Sequence, residues 1–268
     1  MIRQPIQKKW GLLLGVFSVV LLLVGYTWMS HRQHSINPTD TTIPSWGQLA
    51  EGVEKAVEVN HRSGERWVVV DIVASAERLF LGLFFGVVGA ILVGLLMGCF
   101  AVFESFLLPP MQLLAKIPPT AALAVFFVLV GTDTEMFVAM IAFGVLPMLA
   151  QSVYLAVRDV PEELLYKAYT LGASQTEIIW NIIVRSIMPR LIDAIRLQIG
   201  PAMVYLIAAE MVVGDVGFGY RIRLQSRLLN MNVVYPYLTL LAVFGLAMDY
   251  MLRLLQRFSC PWYARSER

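Results

Sequence analysis

The sequence predicts an all-α, polytopic membrane protein of about six crossings, and three observations carry that expectation. Hydrophobic residues fill 58% of the 268 positions and charged residues only 15%, against roughly a quarter charged in soluble domains. Four stretches run without any charge, Trp10 to His31, Leu79 to Phe103, Met136 to Val157 and Leu228 to Met248. Each is long enough to cross a bilayer, which takes about 20 apolar residues. The formal net charge is only +2, with basic residues scattered along the chain. That excludes a nucleic-acid stripe, and the hydrophobicity excludes a soluble enzyme, a secreted disulfide scaffold or a disordered tail. Cys99 and Cys260 stand apart with no ligand-spaced partner and read as inert thiols.

The first run, preceded by Arg3, Lys8 and Lys9, is too long for a signal core. It passes Tyr26 and Trp28 without a small-residue cleavage site and reads as a retained helix with an aromatic belt. A polar outer segment follows, punctuated by Asn37-Pro38 and Ile43-Pro44, with an amphipathic helix over Leu49 to Val59. The second span carries Gly86, Gly89, Gly94 and Gly98, a pattern that permits close helix packing or a moving seam. Ser105 to Thr132 forms a weaker third span, broken by Lys116 and by Pro109-Pro110 and Pro118-Pro119. Its freed backbone groups must face protein or water. Lys116 reads as snorkelling to the inner interface. A fifth span, Leu191 to Val213, carries Asp193 and Arg196 near its start and Glu210 near its end.

Six crossings put both termini on one side. Of the 21 lysines and arginines, thirteen fall on that side, seven on the other, and Arg78 lies at a boundary, so the positive-inside rule predicts cytoplasmic N- and C-termini. No low-complexity tract or internal repeat is evident. The domain reading is a cytoplasmic N-terminus over 1–9, a first transmembrane helix over 10–29, an outer segment over 30–74, a core over 75–257 and a cytoplasmic tail over 258–268.

The long inner loop, 158–190, carries the most information. Pro161 can open a helix, Glu162 and Glu163 suit its positive end, and Leu164, Leu165, Ala168 and Leu171 recur at helical spacing. Gly172 can end it. A second helical stretch runs from Gln175 to Ile187 with Ile178, Ile179, Ile182 and Ile183 on one face, before Met188-Pro189 leads into the fifth span. The product is a helix, a glycine turn and a helix, a shape that docks into a partner's groove or lies along lipid heads as a connector.

The stretch Tyr166-Lys167-Ala168-Tyr169-Thr170-Leu171-Gly172-Ala173-Ser174 resembles the Glu-Ala-Ala-x-x-x-Gly coupling loop of ABC importer permeases in the nitrate/sulfonate/taurine/bicarbonate family. Ser75 to Gly98 is similar to that family's Ser-x-x-Arg-x-x-x-Gly opening, and Leu113 to Glu135 to its Ile-Pro-Pro segment. Asp193-Ala194-Ile195-Arg196-Leu197, Ala209-Glu210-Met211 and Gly217-Phe218-Gly219-Tyr220 match in order and spacing, over about Ser75 to Arg257. Two departures stand out. Tyr166-Lys167-Ala168 replaces Glu-Ala-Ala, so either Glu162 or Glu163 substitutes for the missing acid or the packing of Tyr166, Ala168 and Leu171 carries the docking. The family's later proline is Arg185 here, with Pro189 four residues on.

The resemblance implies a type I ABC importer permease fold in the bacterial inner membrane and a homodimer. It also implies two cytoplasmic ATPase subunits and a periplasmic solute-binding protein, the outer segment then being periplasmic. The implied task is to form the path of a small solute, an anion such as nitrate, a sulfonate or bicarbonate. None of the five lysines follows a glycine, so no P-loop exists. ATP and Mg then belong to the partner ATPase, and this chain is no enzyme and holds no cofactor or metal. The coupling residues implied are Glu163, Tyr166, Lys167, Ala168, Leu171, Gly172 and Ala173. Candidate residues of a periplasmic gate or solute path are Glu210, Arg221, Arg223 and Arg227, with Met203 and Tyr205 as further lining. Glu210 reads alternatively as an interfacial carboxylate. The arginines suit an anion, or pair on the surface with Asp215 or a binding protein.

An ion-gradient-driven secondary transporter is the alternative from another class. It calls for deep carboxylates at broken helices, which the long charge-free spans lack. An intramembrane enzyme is weaker, because His31, His34 and His61 fall in the outer segment with no His-Glu-x-x-His pattern.

Overall fold

The computed structural model describes residues 7–38, 40–59 and 64–263. His61 and Arg62, and parts of the terminal segments 1–9 and 258–268, lie outside the described residues. The described chain is helical, with one isolated antiparallel bridge between Val59 and Arg66. It divides into two compact units, Met1–Trp67 with Leu224–Leu238, and Val68–Arg223 with Thr239–Arg268.

In the first unit, α1 (Lys8–Ile36) precedes α2 (Trp46–Val57). The amphipathic helix expected from Leu49 begins earlier because Ser45 and Gln48 form a reciprocal capping box. Polar groups fasten α2 to the end of α1. Tyr26 donates to the Pro44 carbonyl at 2.6 Å, and Trp46 Nε1 donates to Thr27 Oγ1 at 3.2 Å. Gly52 lies against the carbonyl of Asn232, so close that a Cβ has no room.

In the second unit, α3 (Trp67–Cys99) starts well before the predicted Leu79. Reading spans from charge to charge cut the helix at Arg78, yet Asp71 and Arg78 sit inside it and are buried. The expected third span is not one helix. Phe100 separates α3 from α4 (Ala101–Leu114), and α5 (Leu123–Val130) follows a turn containing Pro118 and Pro119. Proline lacks a donor and disfavours helix in the residue before it, whereas Pro109 and Pro110 are accommodated within α4. At 14 and 8 residues, neither piece alone spans about 30 Å of hydrocarbon. Among the described residues, five helices are long and apolar enough to do so: Lys9–Ile36, Trp67–Cys99, Thr134–Arg158, Gln175–Val212 and Met231–Ser259.

Packing shows how the chain returns. Gly82 meets Ile141, Gly94 meets Val153 and Gly98 meets Val157, so α3 and α6 (Thr134–Arg158) run parallel in one register. The α4–α5 pair must therefore carry the chain back between them, as a broken crossing. Gln151 and Tyr154 of α6 hold α4 by bonds to the Met111 carbonyl at 3.3 Å and Glu104 at 2.6 Å. The long helix after the inner loop runs antiparallel to α6, with Tyr205 filling the space at Gly144. It comprises α8 (Gln175–Ile178), a π-helical turn (Ile179–Ile183) and α9 (Val184–Val212). Pro189, expected to precede the span, lies inside α9 and is buried. The core joins α3, α6, α9 and the later part of α11 (Met231–Ser259), with Leu79, Met97, Met140 and Leu206 among its fully buried side chains.

The glycines of α3 thus serve close packing. Gly94→Leu should destabilise the fold by about 1–3 kcal/mol or more, because a Cβ added there would meet Val153 Cβ at 2.5 Å and the Ala150 carbonyl at 2.7 Å. Gly15→Ala in α1, where nothing lies within 4 Å, should be neutral or stabilising. Thermal unfolding in detergent checks both.

Candidate functional site

Two places gather the residues singled out in the sequence. The first is a buried polar knot where α3, the end of α9 and the start of α10 (Phe218–Arg227) meet. Glu210 is fully buried. Its Oε1 accepts from Ser75 Oγ at 2.8 Å and from Arg78 Nη1 at 3.0 Å, and its Oε2 accepts from the Gly219 amide at 2.9 Å. Ser75 Oγ accepts in turn from the Phe218 amide, and Asp71 Oδ1 from the Gly217 amide, both at 2.9 Å. Three side chains therefore take the first amides of α10, which have no partner within their own helix and lie at its positive end. Gly217 has φ +114° and its missing side chain makes room for the Glu210 carboxylate. Gly219 packs so tightly on Glu210 Cβ, at 2.7 Å from an added Cβ, that any side chain must displace it.

The arginines balance these carboxylates. Arg221 Nε donates to Asp71 Oδ2 at 2.8 Å, and both residues are buried. Arg78 also donates to the Val216 carbonyl at 2.8 Å, and its guanidinium carbon lies 4.2 Å from the centre of the Phe137 ring. Asp215 pairs with Arg78 at 3.5 Å, not with the Arg221 cluster as expected. Arg223 donates to the carbonyls of Val212 and Gly214 at 2.9 and 3.4 Å, closing the end of α9. Arg227 is exposed in the last turn of α10. Sequence reasoning missed Asp71 and the pairing of Arg78 because each lies more than 130 positions from its partner. Three of the motif segments, Ser75-x-x-Arg78, Ala209-Glu210-Met211 and Gly217-Phe218-Gly219, nevertheless converge here.

The second place is the 158–190 loop. As expected, α7 (Glu162–Thr170) opens after Pro161. Gly172 takes φ +84°, its amide bonds the Tyr169 carbonyl at 3.0 Å, and the Ala173 amide bonds the Ala168 carbonyl at 3.0 Å. These two bonds make a Schellman ending, in which a left-handed glycine satisfies the last carbonyls. Ser174 at once caps α8, bonding the Glu177 amide while Glu177 bonds back at 2.8 Å. Two interlocked caps leave the turn little freedom. Arg190 ties the approach to this stub by donating to Asp159 at 2.7 Å.

Ala168 is buried in one apolar cluster with Val157, Ile178, Ile183 and Ile187. Glu163, Tyr166, Lys167, Leu171 and Gly172 face outward, and Ala173 is half-buried. Leu171 is 88% exposed and Tyr166 63%. The Tyr166 hydroxyl donates to Glu162 at 3.4 Å. Of the two acids, it is Glu162 that meets the stub's aromatic side chain. Between the stub and the ends of α3 and α6 lies a cleft lined by Cys99, Arg158, Leu165, Tyr169 and Gln175, which the sequence did not disclose.

Breaking the knot should be costly and mending it cheap. Arg78→Met or Glu210→Leu alone should each lose about 3–5 kcal/mol by leaving a buried charge uncompensated. The Arg78→Met/Glu210→Leu double variant should lose less than the two together, as measured by denaturation in detergent micelles.

Comparison with known proteins gives these places a setting. Residues 86–258 match the family described as binding-protein-dependent transport system inner membrane component. A probable ABC transporter permease of Brucella abortus is 30% identical over 201 residues, 74% of this chain and 80% of that protein. The taurine transport system permease TauC of Escherichia coli is 25% identical over 263 residues, 97% of this chain and 93% of that protein. In fold, the chain resembles one solved in inward-facing conformations of the MetNI methionine ABC transporter, with TM-score 0.61 and 18% identity over 72% of this chain and 96% of that one. The chain belongs to the inner-membrane components of binding-protein-dependent transport systems, as a multi-pass ABC transporter permease subunit.

Proposed function

We propose that two copies of this chain form the path of a small anion delivered by a periplasmic binding protein, with both termini cytoplasmic and two separate ATPase subunits docked on the α7–α8 stubs. The single observation that carries the docking is the stub itself. Its turn is locked by two caps yet presents Leu171 and Tyr166 to solvent. Rigid, preorganised apolar groups are what a partner groove needs to receive force without losing it to loop entropy. ATP and Mg are assigned to the partner, since this sequence has no phosphate-binding loop. The anion class is supported by relatives named for taurine, aliphatic sulfonates and nitrate.

In this reading Glu163, Tyr166, Lys167, Leu171 and Gly172 meet the ATPase, while Ala168 and Ala173 seat the stub on the bundle. Glu210, Arg221 and Arg223 serve the outer gate by holding α10 in place, and Arg227 offers an exposed positive charge there. Alternating access is then a shift between two global states driven by nucleotide on the partner. The gradient-driven alternative gains two buried carboxylates, Asp71 and Glu210. Both are ion-paired with arginine, which does not suit a site that must load and release a coupling ion.

Leu171→Asp should weaken ATPase binding by about 2 kcal/mol or more, roughly 30-fold, in the manner of an interface hot spot. Retention of the ATPase during purification measures it, and undiminished retention would move the docking elsewhere. In proteoliposomes, uptake should require ATP, the ATPase and the binding protein; uptake driven by a proton or sodium gradient alone would establish the alternative. Arg227→Gln should lower uptake of an anion while leaving ATPase retention intact.

A further inference from the structure

The helix that leaves the stub contains one residue more than its inward stripe requires. Ile178, Ile183, Ile187 and Leu191 are the buried positions it contributes to the apolar cluster that holds Ala168, spaced by five, four and four. Five residues of α-helix advance about 500°, which would turn Ile183 roughly 140° away from Ile178. The π turn over Ile179–Ile183, closed by the Val184 amide on the Ile179 carbonyl, absorbs the extra residue and returns Ile183 to the stripe. Asn181 and Trp180, within that turn, are exposed. A continuous α-helix one residue shorter would bury the same four side chains at spacings of four. The fold therefore has no need of the insertion, and π turns inside α-helices are rare and concentrated where function demands them.

Its place in the chain says what the insertion does. On one side stands the doubly capped stub, and on the other the 29 residues of α9. Ile179 and Ile183 also line the cleft beneath the stub, which leaves the turn space to rearrange. We propose that the Ile179–Ile183 π turn is the positioning element of coupling. It sets the rotation of the stub about α9 and, by passing its extra residue to the neighbouring α-helix, lets that rotation change when the partner loads the stub. Asn181, exposed and uninvolved in the buried stripe, is the residue whose presence creates this freedom. The inference rests on the assignment of the stub as the ATPase contact.

The test uses the assembled permease and ATPase in proteoliposomes with the binding protein. Deleting Asn181 should leave a straight α-helix with the apolar stripe intact. The complex should still assemble and hydrolyse ATP, but uptake per ATP should fall by about tenfold or more, the order of a coupling free energy between sites. Asn181→Ala keeps the residue count and should transport as the parent does. Parental uptake by the deletion variant would overturn the proposal. Should the deletion variant fail to assemble, spin labels at Thr176→Cys and Ser186→Cys in a Cys99→Ala/Cys260→Ala background report on the intact turn. Their separation should change by about 1–2 Å or more on trapping ATP, and a constant separation would equally overturn it. An ATPase that fails to bind the parent chain would instead bring down the docking assignment itself.

Discussion

A protein interior does not tolerate a bare charge, and the arrangement of this chain depends on how four buried charges cancel. Asp71, Arg78, Glu210 and Arg221 are each at most 8% exposed, and each carboxylate has its own guanidinium. An isolated ion in such a place costs several kcal/mol. The same carboxylates, with Ser75, also accept the leading amides of α10. One cluster thus solves two problems that burial creates, unpaired charge and an uncapped helix end. Because its members come from α3, α9 and α10, satisfying it dictates where the chain turns after α9.

At the other end of the same bundle the physical demand is different. There a short helical stub must hold its shape while standing clear of the core. The Schellman ending on Gly172 and the capping box between Ser174 and Glu177 meet that demand with local hydrogen bonds. Ala168 contributes by being small enough to seat against Ile178 and Ile183. Outward-facing Tyr166 and Leu171 are then free for a partner, which is the division of labour a lever requires: one face fixed, the other available.

Much of this was legible in the sequence, and the remainder was hidden for identifiable reasons. Charge-free runs located the cores of four spans, and Pro161, Gly172 and the glycine series of α3 announced a helix start, a turn and close packing. The start of α3 was missed because its charges are paired within the bundle, so their presence did not mark a water boundary. Arg221 and Arg223 looked like a free cluster because Asp71 lies far away in the sequence and backbone carbonyls leave no sequence trace. The π turn was invisible since Ile178, Ile179, Ile182 and Ile183, two adjacent pairs, satisfy an α-helical stripe as well as a widened one.

The contact of Arg78 with Phe137 carries a consequence for motion. The ring belongs to α6, whereas the guanidinium and its carboxylate belong to α3 and α9. Sliding α6 against its neighbours at this level would strip the aromatic cover from a desolvated cation, a loss of about 1–2 kcal/mol that favours joint movement of the three helices here. Opening and closing during a transport cycle is accordingly easier along the outer surfaces of this cluster than by shear within it.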